Sequence, residues 1–116
     1  MALAEREEGG AQQIIWDWTS DASGDVTITT DSTYHGKVLT LVTIPHATAP
    51  AADYDLTAVD RNGVDVLHAG GIDRHTTNTE YVASASLGAV SDSVLILTID
   101  NGGNAKKGKA VITVGL

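Results

Sequence analysis

The sequence predicts an all-β protein, an antiparallel β-sandwich or small barrel of jelly-roll or immunoglobulin-like type that follows an N-terminal arm. Threonine, valine and isoleucine supply 33 of the 116 residues, and β-branched side chains suit a pleated strand better than a helix. Short alternating apolar segments recur between turn-forming residues, whereas no segment keeps a 3.6-residue period over the length of a helix. Short strands at regular spacing are typical of a sandwich or a barrel.

Residues 1–12 are predicted to be an arm outside a single β domain, which covers residues 13–116. The composition of Ala2–Glu8 allows one or two helical turns, which Gly9 and Gly10 would end. A polar terminus is usually disordered unless a neighbouring surface holds it. We therefore expect the charged residues of the arm to contact such a surface: Glu5, Arg6, Glu7 and Glu8.

Four strands are predicted in the first half of the domain. Trp16 and Trp18 share one face of the first strand because strand side chains alternate, and Val26 and Ile28 share a face of the second. The third strand is long and apolar and ends at Pro45, and the fourth alternates in the same way. The four segments are residues 13–18, 25–30, 37–44 and 54–59.

The second half of the domain is predicted to hold shorter strands and two hairpins. Asn62 and Gly63 form a strong two-residue hairpin signal, so the fourth strand is expected to turn back there. A second hairpin is expected at residues 100–104, which are rich in glycine and asparagine. The predicted strands are residues 64–68, 80–83, 93–99 and 109–114, with a polar loop at 70–78.

Two predicted strands are apolar on both faces. Leu39 and Leu41 would share one face of the third strand, and Val42 and Ile44 the opposite face. The strand at residues 93–99 has the same character. A sandwich strand normally has one buried face and one wet face, so the second face needs a cover, which is either a loop of the same chain or another subunit.

Composition argues against several classes of protein. The chain has no cysteine, which excludes a disulfide framework, a thiolate metal site and a cysteine nucleophile. Its net charge of −8 opposes binding to a nucleic-acid backbone. No apolar run is long enough to cross a bilayer, and the acidic first residues do not resemble a secretory signal. We therefore expect synthesis in a cytoplasm, with no nucleic-acid or membrane partner.

The sequence contains no nucleophile elbow, phosphate loop, metalloprotease helix or dinucleotide fingerprint. No enzymatic activity, catalytic residue or cofactor is therefore predicted. The turns near Asp60 and Asp100 carry the oxygen ligands that calcium prefers, but they lack calcium-loop spacing, and aspartate and asparagine are also ordinary turn residues. No metal site is predicted, and the histidines lie in or beside predicted loops without metal-ligand spacing: His35, His46, His68 and His75.

Two groups of residues allow alternative interpretations. Trp16 and Trp18 either anchor the core, which is the favoured interpretation, or stack on a sugar as in carbohydrate-binding modules. Lys106, Lys107 and Lys109 either protect a hairpin tip against aggregation or dock an acidic neighbour, such as the arm of another subunit. Both groups are candidate interface residues.

Residues 16 to 116 resemble small β-rich virion proteins of tailed bacteriophages, of the capsid cement or decoration type. The pattern begins with the tryptophan-rich opening strand and continues through a glycine-led apolar strand, a proline-bounded loop and a closing hairpin. The segments that carry the resemblance are residues 16–18 (WDW), 36–44 (GKVLTLVTI), 45–50, 54–60 (YDLTAVD), 62–67 (NGVDVL) and 76–80 (TTNTE).

The resemblance implies a structural function in the virion. Proteins of this type are β-rich and often trimeric, and they lie on capsid surfaces where neighbouring capsomers meet, frequently with an extended terminal arm. We therefore expect a capsid cement protein, a homotrimer that binds the major capsid protein or another virion protein. The alternatives are a neck or tail component, or a carbohydrate-binding module that uses Trp16 and Trp18.

Overall fold

The computed structural model describes residues 2–115, except for the side chain of Glu8, and this part of the chain contains nine strands and one short 3-10 helix. The predicted all-β class is confirmed. No helix within the described part is long and apolar enough to span a bilayer. The strands are β1 (Ala2–Glu8), β2 (Ala11–Thr19), β3 (Val26–Thr29), β4 (Tyr34–Pro45), β5 (Asp55–Val59), β6 (Glu80–Ala83), β7 (Ala89–Ser93), β8 (Ile96–Asp100) and β9 (Lys107–Gly115), and the helix is Ser84–Ser86.

The strands form two antiparallel sheets that pack as a sandwich. The large sheet has the order β1-β2-β9-β4-β6, and β7 also pairs with the first part of β4. The small sheet has the order β3-β8-β5. Strands that are close in sequence, such as β8 and β9, lie in different sheets, so strand spacing alone does not determine this order.

The core lies between the inner faces of the two sheets. Alternation along β2 turns Ile14, Trp16 and Trp18 inward, and each is at most 1% exposed. The small sheet contributes residues such as Leu97 and Ile99, which are fully buried. Because the chain has no phenylalanine, tryptophan and tyrosine fill most of the largest core positions.

The N-terminal segment is a strand, so the predicted helical turns are wrong. Ala2–Glu8 pairs with β2 residue by residue over its whole length. Gly9 and Gly10 have φ angles of +57° and +84°, and two successive positive φ angles are what a type I′ hairpin turn requires. The residues expected to form a separate arm are therefore the edge strand of the large sheet, and the predicted boundary at residue 13 falls inside β2.

Three other predicted elements differ from the structure. The hairpin at residues 100–104 is wrong, because β8 and β9 belong to different sheets and the intervening loop crosses between them. The predicted strand at 93–99 is interrupted between β7 and β8. The segment after Asn62 forms only an isolated bridge, in which Asp65 pairs with Val59.

A β-bulge at Leu39 changes the two faces of β4. Val38 pairs with Val114 and Thr40 with Thr113, so Leu39 is an extra residue in the ladder. Strict alternation would place Leu39 and Leu41 on the same face. The bulge places them on opposite faces. Leu41 is buried, whereas Leu39 is 38% exposed.

Candidate contact surface

The two predicted tryptophan contacts lie in the core. Trp16 and Trp18 are 0% and 1% exposed, so this fold offers no tryptophan platform for a sugar, and the interpretation as core anchors is confirmed. The ring of Trp18 lies 5.3 Å from that of Tyr54, centroid to centroid. It also covers Gly108, where an added Cβ would lie 2.6 Å from the Trp18 ring, so glycine is required there.

Glu5 binds its own chain. Its carboxylate accepts the backbone N–H groups of Asp31 and Ser32, both at 3.1 Å, and the hydroxyl of Tyr34 at 2.6 Å. Burial, together with this bond to Glu5, raises the pKa of Tyr34 above its ordinary value. Glu5 therefore fastens β1 to the turn between β3 and β4.

Strand alternation decides which face of β1 carries each of the other charged residues of the predicted arm. Arg6 lies on the opposite face of β1 from Glu5 and is exposed. Glu7 is exposed on the same face as Glu5. The side chain of Glu8 is outside the described part of the structure.

The lysine group does not lie at a hairpin tip. Lys107 and Lys109 belong to β9, a central strand of the large sheet, and Lys106 lies in the loop before it. The Nζ of Lys109 is 3.7 Å from the carboxylate of Asp17 on the neighbouring strand β2. These lysines are therefore not on the hairpin edge that their sequence position predicts.

Many acidic and histidine side chains accept hydrogen bonds from backbone N–H groups in turns. Asp60 Oδ1 accepts the N–H groups of Asn62 at 2.8 Å and Val64 at 3.1 Å. His75 Nδ1 accepts the N–H groups of Thr77 and Asn78 at 3.0 and 2.9 Å. Within residues 2–115, no group of three or more histidine and acidic side chains is arranged to hold a metal ion.

An apolar row crosses the outer face of the large sheet, the face turned away from the small sheet. The strand registers place one outward side chain from each of five strands side by side: Ala4 pairs with Ile15, Ile15 with Val111, Val111 with Val42, and Val42 with Tyr81. We call these five residues the outer row. Ile15, Val111 and Val42 are partly exposed, and Tyr81 is 65% exposed.

Further residues extend this apolar surface. Ile44 lies two residues beyond Val42 on the same face, and the bulged residue Leu39 lies over Gly115 at the other end of β4. Leu39 and Tyr81 are two of the large apolar side chains that remain most exposed. The second apolar face that the sequence predicts for β4 therefore exists, and in this chain it remains partly exposed to solvent.

A shallow depression lies beside the outer row, near the β1 edge. Arg6, Ala11, Gln13 and Thr113 line a volume of about 130 Å³. Arg6, Gln13 and Thr113 are cross-strand neighbours on the outer face. A protruding tyrosine and a depression thus lie toward opposite edges of one face.

No family model matches this sequence, and no curated protein is similar to it. The contact surface therefore rests on geometry alone. Among the predicted contact residues, Arg6, Lys107 and Lys109 lie on the outer face, whereas Glu5, Trp16 and Trp18 do not. Sequence reasoning found the two-faced character of β4 but not Tyr81, because pairing between β4 and β6 joins residues about 40 positions apart.

Proposed function

We propose that this chain is a virion structural protein of a tailed bacteriophage, a capsid cement protein that forms a homotrimer and binds the major capsid protein. The outer row is the observation that carries the proposal. An apolar surface that crosses five strands is typical of a face that another protein covers. The resemblance of residues 16–116 to cement proteins supports the choice of partner.

The proposed mechanism is stabilisation by mass action. A protein that binds the assembled shell but not its separated subunits lowers the free energy of the shell, by an amount that grows with its free concentration. No reacting group is needed, only a rigid surface of the correct shape. A sandwich with two hydrogen-bonded sheets provides such a surface, with Arg6, Lys107 and Lys109 positioned to contact acidic groups near the outer row.

Binding to shells tests the proposal. Shells formed by the major capsid protein of the genome that encodes this chain would be titrated with the purified protein, and occupancy measured by co-sedimentation. We expect saturable binding and a higher shell melting temperature. The variant Val42→Asp should weaken binding at least tenfold, because it buries an unpaired charge in the contact.

A matched substitution tests whether the position of the added charge matters. Val64 is 54% exposed in the turn after β5, so Val64→Asp adds the same charge away from the outer row and should bind as the unaltered protein does. Equal binding by both variants would contradict a contact at the outer row. Binding to tails and not to shells would contradict the cement proposal and indicate a neck or tail component.

A further inference from the structure

We infer that the core of this protein binds at least one water molecule between the two sheets. Four buried side chains each carry a polar atom that makes no hydrogen bond within the described part of the chain. Buried polar atoms of native proteins are almost always hydrogen-bonded, either to protein or to ordered water. The four atoms, which we call the polar cluster, are Trp16 Nε1, Trp18 Nε1, Thr43 Oγ1 and the hydroxyl oxygen of Tyr54.

Bulk solvent does not reach the polar cluster. Trp16 and Tyr54 are fully buried, and Thr43 is 2% exposed. A buried donor or acceptor that finds no partner keeps the whole free-energy cost of leaving water. Tryptophan and tyrosine in a core therefore normally find a partner for the indole N–H and the phenol O–H. For these four atoms the partner has to be a molecule bound inside the sandwich.

Strand register brings Trp16 and Thr43 to the same place on the inner face of the large sheet. Both pair with Ala110 of β9, Trp16 from β2 and Thr43 from β4. Their Cα atoms are therefore about 10 Å apart at the usual strand spacing. A methyl group is the whole side chain that β9 places between them, so a small residue separates the indole from the hydroxyl.

Trp18 and Tyr54 extend the cluster to the second sheet. The indole of Trp18 lies over Gly108, where an added Cβ would lie 3.1 Å from Nε1. The ring of Tyr54, directly before β5 of the small sheet, lies 5.3 Å from that of Trp18. Burial raises the pKa of Tyr54, and the nearby hydroxyl of Thr43 partly offsets that rise. The two hydroxyls are thus close, although no direct hydrogen bond joins them.

The chemistry of the cluster selects a neutral ligand that both accepts and donates hydrogen bonds. An indole N–H can only donate, whereas a hydroxyl donates or accepts. A water molecule accepts from an indole and donates to a hydroxyl oxygen, and buried waters typically make two to four such bonds. The charged groups that act on Tyr54 are Arg74 and Glu80. They pair with each other at 3.6 Å, so they leave no net charge to hold an ion.

A crystal structure of the unaltered chain tests the inference directly. We expect a peak of electron density within about 3.2 Å of at least two atoms of the polar cluster, the distance of an ordinary hydrogen bond. Direct hydrogen bonds among the four atoms, or no peak beside them, would overturn the inference. A chloride ion at that position, recognised by its anomalous scattering, would overturn the choice of a neutral ligand.

Matched variants test the two hydroxyl ligands in solution. The chain has two tryptophans, so its NMR spectrum holds two indole N–H signals, on which cross-relaxation with a long-lived water is measured. Thr43→Val keeps the side-chain shape but removes a hydrogen bond to the water, so the cross-relaxation should be lost. Thr29→Val, the same change at an exposed position of β3, should leave it unaltered.

Tyr54→Phe provides a second, independent variant. It removes the other hydroxyl and should also abolish the cross-relaxation, whereas Tyr81→Phe, at a side chain that is 65% exposed, should not. Cross-relaxation that persists in both Thr43→Val and Tyr54→Phe would overturn the assignment of these hydroxyls as ligands of the water.

Discussion

Single aspartate side chains hold several turns of this protein closed. Asp65 is one example: its carboxylate accepts the N–H groups of Ala58, Leu67 and Ala69, each at 3.1 Å. Such bonds satisfy backbone donors that the short strands leave unpaired. Much of the net negative charge of the chain therefore has a structural explanation, and a basic partner or a metal ion is not needed to account for it.

Asp100, in contrast, lowers the stability of the folded protein near neutral pH. Burial raises the pKa of Asp100 above its ordinary value, and the nearby carboxylates of Asp25 and Asp55 raise it further. The ionised form is therefore disfavoured in the folded state, so this group stabilises the fold fully only below pH 3.8, its ordinary pKa. The stabilisation is lost as the pH rises through the higher pKa of the folded state.

The variant Asp100→Asn should consequently be more stable than the unaltered protein at pH 7. We expect a gain below about 1 kcal/mol, because Asp100 is only slightly buried and solvent screens most of its charge. Urea denaturation at pH 7 and at pH 3 measures the difference, which should vanish at the lower pH. Glu7→Gln makes the same charge change on β1 and should show no gain. A gain for Asp100→Asn that persists at pH 3 would refute the electrostatic explanation.

Backbone strain at Ala69 gives a second residue-level prediction. Ala69 has a φ of +63° in the turn that the bond from Gly70 N–H to Leu67 C=O closes at 2.7 Å. A residue with a Cβ loses about 1 kcal/mol in this region, and glycine does not. Ala69→Gly should therefore raise the free energy of unfolding, by up to about 1 kcal/mol, measured by urea denaturation.

The matched control is Ala83→Gly. Ala83 lies in strand β6 and is exposed, so glycine relieves no backbone strain at this position. It should instead lower the free energy of unfolding, because glycine has greater freedom in the unfolded chain. Destabilisation by both substitutions would show that Ala69 is not strained.

At the scale of elements, β1 depends on few side-chain contacts. Leu3 is the β1 side chain that packs against the core, and Glu5 supplies the three hydrogen bonds to the turn at residues 31–34. The strand lies at the sheet edge and joins β2 through two glycines. Edge elements with few buried contacts are the first to open in a folded protein.

Glu5→Ala should therefore loosen β1 without unfolding the sandwich. Hydrogen bonds to a charged group contribute about 1.5–3 kcal/mol, so a loss of about 2 kcal/mol makes local opening roughly 30-fold more frequent. Hydrogen exchange of the β1 amides measures this change. Glu7→Ala, on the same face of the same strand, should leave exchange unaltered. Unchanged exchange in the Glu5→Ala protein would mean that backbone pairing alone holds β1.

At the scale of the whole molecule, stability should depend on protein concentration. If copies associate as the proposed homotrimer, the folded oligomer is favoured as concentration rises, and the melting temperature increases with it. We expect this dependence for the unaltered chain, measured by calorimetry over a hundredfold range of concentration. A constant melting temperature for the unaltered chain would contradict self-association.

The all-β class and most of the strands follow from the sequence alone. β-branched composition and two-residue alternation are local properties, and they locate β2, β3, β4, β5, β6 and β9 to within a few residues. The same local pattern shows that β4 is apolar on both faces. Alternation also places Trp16 and Trp18 on one side of a strand, which is the side that the core covers.

Tertiary structure decided everything that depends on which strands pair. The two sheets separate β8 from β9, although a hairpin between them fits the local sequence, because pairing energy depends on neighbours that are distant in the chain. The bulge at Leu39 and the pairing of β1 with β2 have the same origin. The outer row exists only because five strands align in one register, so its members Ala4, Ile15, Val42, Tyr81 and Val111 become one surface only in the folded sheet.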